Sequence, residues 1–167
     1  MRFLVMKKNK SQGIGLVELM LSIAVIAILL MMAMRYYMST RQAEQKAVAV
    51  SMIKDIISAA AEYSIANQHT YNNLSLNALV SGSYLPASFC GSGSGAACGQ
   101  RANPWKGGIA LLQANPPVRD KFVIAFDALP AGICDAMAGI VNTSLKSNLL
   151  LSPAACANNL LTVLVQG

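Results

Sequence analysis

The sequence holds one histidine, no cysteine before Cys90, and neither proline nor glycine between Leu16 and Asn67. Each scarcity excludes something. A lone His69, with four cysteines that include no Cys-x2-Cys pair, makes a poor zinc ligand set, so no metal is expected. Charged residues are only 12% of the chain. Asp120, Asp127 and Asp135 stand apart among basic and turn residues, which gives no paired carboxylates for acid–base chemistry. No phosphate-binding loop, dinucleotide fingerprint or nucleophile elbow occurs. No catalytic residue, enzymatic activity or cofactor is therefore expected. The missing Pro and Gly leave the stretch from Leu16 to Asn67 free of helix breakers.

What is present is unevenly spread. Thirteen basic residues against seven acidic ones give a formal net charge of +6, but Arg2, Lys7, Lys8 and Lys10 all precede an apolar run. Taking those four from the thirteen leaves nine, and a net charge near +2 for the rest. That excess lends nucleic-acid binding no support. It reads instead as a topology signal that keeps the extreme N-terminus in the cytoplasm.

The run from Ile14 to Met34 is 21 residues without Lys, Arg, Asp or Pro. As a helix it spans roughly 31 Å, enough for a hydrocarbon core of about 30 Å. It is too long for an ordinary secretory signal, and no small-x-small site follows it closely. The nearest, Ala47-Val48-Ala49, lies well downstream. A retained membrane anchor is expected. Glu18 is the residue that fits an anchor badly, since a mid-membrane acid costs about 2.5–3.5 kcal/mol on insertion scales.

The flanks of Glu18 carry a resemblance. The string Lys10-Ser11-Gln12-Gly13-Ile14-Gly15-Leu16-Val17-Glu18-Leu19 resembles the processing site of type IV pilins and the related pseudopilins. That family has a short basic leader ending in Gly, a cut directly after it, an apolar first mature residue and Glu at the fifth mature position. The resemblance implies cleavage between Gly13 and Ile14 by a prepilin peptidase, methylation of the new Ile14 amine, and an assembly role for Glu18. In an apolar bundle, Glu18 of one subunit would pair with the amine of a neighbour and so set register. Many pilin stems carry a mid-helix Pro or Gly; this one departs from that pattern.

The helical pattern continues past the anchor. Ala43, Ala47, Val50, Ile53, Ile57, Ala60 and Ser64 recur at steps of three and four, with Ile56 and Ala61 widening the stripe. One helix is expected over 14–68, membrane-spanning over 14–34 and an amphipathic stem over 35–68. Residues 1–13 are then the leader and 69–167 the globular domain. Within that domain the pattern predicts a short helix over Leu74 to Leu79, irregular Gly/Ser-rich chain around Gly91 to Gly95, and strands at Ile109–Leu112 and Lys121–Phe126. A helix over about Ala131 to Asn142 follows, then strands at Leu149–Leu151 and Leu160–Val165. Trp105, next to Lys106, reads as a partly buried core residue in preference to a base-stacking platform. The fold class is α+β: a long N-terminal helix packed on a C-terminal antiparallel sheet, the pilin fold.

The order Asn103-Pro104-Trp105-Lys106-Gly107-Gly108, then Lys121 to Phe126, then Leu129-Pro130 and a helix bearing Cys134, is similar to type IVb pilins. The 13-residue leader is long for the IVa class and short for many IVb members. The cysteines all lie beyond the anchor, which accords with disulfides in an exported domain; spacing alone leaves three connectivities open. The resemblance implies a late pair, Cys134–Cys156, which leaves Cys90 with Cys98.

The function so implied is that of a structural subunit, held in the inner membrane with its N-terminus in the cytoplasm. It would then assemble into an extracellular filament used for adhesion, motility, DNA uptake or mating. Its partners are copies of itself, the peptidase, the inner-membrane assembly platform, minor pilins, and the membrane before assembly. Two alternatives stand beside it. A type II secretion pseudopilin is disfavoured by the cysteines and by the lack of evident calcium-site acids. A non-polymerising membrane-anchored periplasmic domain leaves Gly13 and Glu18 without a purpose.

Overall fold

A computed structural model of the chain describes residues 15–113, 120–145 and 149–166. Contacts divide the chain into two units, Met1–Gln42 and Ala43–Gly167. Helix α1 (Leu16–Ala66) supplies the helical part of the first unit and the opening element of the second. It is uninterrupted, as a stretch lacking Pro and Gly permits.

In the second unit α1 buries Ala49, Ile53, Ile56, Ala59 and Ala60. The expected stripe is rotated from this: Ala43, Ala47 and Ala61 face solvent, while Ala49 and Ala59 are inside. Alanine fits either side of a helix at little cost, so the isoleucines at 53 and 56 mark the buried face and the alanines do not. Gln68 and His69, both at φ 57°, end the helical run. Tyr63 then fastens the following loop, donating its hydroxyl to the Asn72 carbonyl at 3.1 Å and meeting Tyr84 edge-on at 6.0 Å.

Helix α2 (Leu76–Ser81) begins two residues later than expected, because Ser75 caps it by accepting from the Ala78 amide. The Gly/Ser-rich segment is more regular than expected. Two 3-10 turns, Ala87–Cys90 and Gly95–Ala97, flank it. Ser92 and Gly99 donate to the Gln100 and Cys90 carbonyls at 3.0 Å each.

Four strands, β1 (Ile109–Gln113), β2 (Lys121–Phe126), β3 (Ala155–Ala157) and β4 (Leu160–Gln166), form one antiparallel sheet in the order β1-β2-β4-β3. The register places Phe122 opposite Val165, Ile124 opposite Val163 and Phe126 opposite Leu161. All six are buried, so the period of two in β2 and β4 delivers one apolar face. That face joins the buried residues of α1 and of α3 (Ile133–Ser144) in a single core, with Tyr71 tilted against Phe122 at 4.8 Å. The expected strand at Leu149–Leu151 is instead a single bridge from Leu150 to Val165. The edge strand that does form, β3, is a three-residue segment of alanines and a cysteine with no strand signal of its own. Pairing to β4 and the bond through Cys156 hold it in place.

Candidate assembly site

The first unit presents an unusual surface. In α1, Glu18 and Leu19 both donate to the Gly15 carbonyl, at 2.9 and 3.1 Å, closing the first described turn of the helix. Glu18 is thereby in the first turn, where the positive end of the helix dipole favours a carboxylate. Leu16, Val17 and Met20 are 72%, 79% and 63% exposed, and the apolar side chains continue all round the helix to Met34. Ser22 turns its hydroxyl back to the Leu19 carbonyl at 2.8 Å. Glu18 is left as the one formal charge between Leu16 and Met34. A helix apolar on every side belongs in lipid or in a bundle of similar helices, not in water. This helix is long and apolar enough to cross a membrane.

The far end of the apolar run is marked by Arg35, Tyr36, Tyr37 and Arg41. The Arg41 guanidinium lies 5.7 Å from the Tyr37 ring centroid, and Thr40 donates to the Tyr36 carbonyl at 3.0 Å. Amphipathic aromatics beside cations are what a membrane–water interface selects. Gly13 and Ile14 lie outside the described residues.

In the second unit the cysteines pair as Cys90–Cys98 and Cys134–Cys156, with Cα atoms 4.1 and 5.7 Å apart. The first closes the loop containing Gly91 to Gly95. The second joins the first turn of α3 to edge strand β3.

Two side chains that carry much of the loop architecture had no clear signal in the sequence. Asn103 is buried, and its amide donates to the Asp127 carbonyl at 2.8 Å and the Gly108 carbonyl at 3.3 Å. Its Oδ1 accepts from the Trp105 and Gly107 amides at 3.0 and 2.8 Å. The Asp127 carboxylate accepts from the Gly108 amide. Gly107 packs so closely that a Cβ would come 2.2 Å from the Asp127 carbonyl. Together these bonds pin the turn entering β1 to the residue leaving β2. Asn142 acts similarly, accepting from the Ala154 amide at 2.6 Å. The only sequence cue was the Asn-Pro before a Gly pair.

The side chains of chemically reactive type lie in separate places. Trp105 is half-buried against the core. Asp127 is committed to the turn, Asp135 sits in the first turn of α3, and His69 is exposed at the end of α1. The structure does not bring them together.

Residues 38–160 match the family model described as Bundlin, and residues 8–34 match the model of the prokaryotic N-terminal methylation motif. The chain belongs to the bundlin family. It is a type IV pilin-like structural subunit, with the long apolar helix and antiparallel sheet of the pilin fold. No curated protein and no solved structure gives a significant match. The methylation motif of this pilin ends at residue 34, the same residue that ends the uncharged apolar run after Glu18.

Proposed function

We propose that this pilin is a polymerising subunit of a IVb-like pilus, made as a precursor and cut between Gly13 and Ile14. Residues 1–13 are the leader, 14–34 cross the inner membrane and later line the filament core, 35–68 form the stem, and 69–167 face outward as the disulfide-closed domain. The peptidase acts on the cytoplasmic side, where Arg2, Lys7, Lys8 and Lys10 hold the leader. Methylation then falls on the Ile14 amine.

The observation that carries the reading is Glu18, a lone carboxylate in the first turn of α1, whose surface from there to Met34 is otherwise apolar on all sides. Paired with a neighbour's N-terminal amine in an apolar bundle, it is tolerated; unpaired, it is penalised. Growth of the filament is thereby tied to one register of adjacent stems. The Bundlin match across residues 38–160 supports a pilin subunit.

Intact mass and N-terminal sequencing of the membrane-derived protein test the processing step. A chain starting at Ile14 that is lost in Gly13→Ala supports the reading. A chain starting at Met1 in both proteins, or cut well beyond Met34, removes it.

A further inference from the structure

The exposed side of α1 within the second unit is electrically two-sided. At 100° per residue, Glu44, Asp55 and Glu62 fall within about 20° of one line along the helix. Lys46 and Lys54 lie off that line, on the other flank. Each flank borders a groove. Lys46, Val50 and Lys54 wall one of about 490 Å³, floored by apolar side chains and closed by Ile140 of α3. Met52 and Asp55 wall another of about 440 Å³, closed by Phe89 and Pro104. Ser51 lines both, so the two grooves run along opposite sides of one exposed ridge.

We infer that the lysine-walled groove between α1 and α3 receives the acidic flank of α1 from a second copy of this chain. The inference rests on the filament reading above and names the surfaces that meet. Lys46 and Lys54 are eight residues apart, about 12 Å of helix, and Asp55 and Glu62 are seven apart, about 10.5 Å. Two copies pointing the same way can therefore pair Lys46 with Asp55 and Lys54 with Glu62 at an axial offset of about 12–14 Å. The apolar groove floor excludes water around the pairs, which strengthens them relative to open surface. The two surfaces differ, so after pairing one copy keeps a free acidic flank and the other a free lysine-walled groove. Such a head-to-tail contact does not close on itself and propagates as a helix.

The test uses the full chain in cells that assemble it. K46E/K54E and D55K/E62K should each lower the yield of sheared filaments by about tenfold or more, with processed subunit in the membrane unchanged. The four-site charge swap should recover yield to within about threefold of the unaltered chain. Doubles that assemble normally, or a swap that fails while all variants keep protease resistance and both disulfides, overturn the inference. If the variants lose protease resistance, carbodiimide treatment of unaltered filaments replaces them. Intermolecular amides joining Lys46 to Asp55 or Lys54 to Glu62 support the contact; crosslinks confined to other pairs overturn it. An unaltered chain that forms no filament fails the filament reading itself, a result distinct from either of these.

Discussion

Glu18 and Asn103 are polar side chains in settings that punish polarity, and each is tolerated for a different reason. Glu18 sits at a helix N-terminus in an apolar surface, and its compensation is proposed to arrive from a neighbouring subunit. Glu18→Ala is accordingly expected to insert and be cut normally yet yield no filaments by electron microscopy of sheared material. Glu18→Gln keeps the shape but not the charge and is expected to fail in the same way. Normal filaments from either variant would leave only a membrane anchor. Asn103 has its compensation within the fold, four hydrogen bonds from one buried amide. Asn103→Ala should lower stability by about 2–3 kcal/mol, read as a drop in thermal midpoint of the detergent-extracted protein.

Single elements depend on one another to different degrees. Helix α1 has local reasons to form, whereas β3 has none and relies on β4 and on Cys156. Chain entropy assigns about 3.5 kcal/mol to the loop closed by Cys134–Cys156 and about 2.5 to that closed by Cys90–Cys98. Replacing the first pair by serine is thus expected to lower the urea midpoint more than replacing the second. On the buried face of α1, Ile53→Ala should cost about 2–5 kcal/mol, since the side chain is fully enclosed. Ala47→Ser, on the exposed face, should change stability by less than about 0.5 kcal/mol in the same denaturation series.

For the molecule as a whole, the proposed orientation in the membrane rests on the charges that flank the apolar run. Arg2, Lys7, Lys8 and Lys10 flank the apolar run on one side and Arg35 and Arg41 on the other. Exchanging the four leader residues for glutamine should raise the fraction of chains with the domain on the cytoplasmic side. A reporter fused to the C-terminus that is active only outside the cytoplasm measures this, with lower activity the expected outcome.

The long helix Leu16–Ala66 and the methylation motif over residues 8–34 were legible because their determinants are local. Run length, helix breakers, the basic leader and the five-residue spacing from Gly13 to Glu18 all lie within a few turns of each other. The α+β class and the strand Lys121–Phe126 were legible for the same reason, a period that needs no partner to be seen. Tertiary structure alone decided the rest. Which way α1 turns its alanines, that Ala155–Ala157 is a strand tied down through Cys156, and that Asn103 holds the β1–β2 junction all depend on atoms brought together from distant positions. Asn103 and Asp127 are 24 residues apart, and Cys134 and Cys156 are 22. Small or polar residues of this kind carry almost no periodic signal, so only the closed core, which fixes their neighbours, gives them a role.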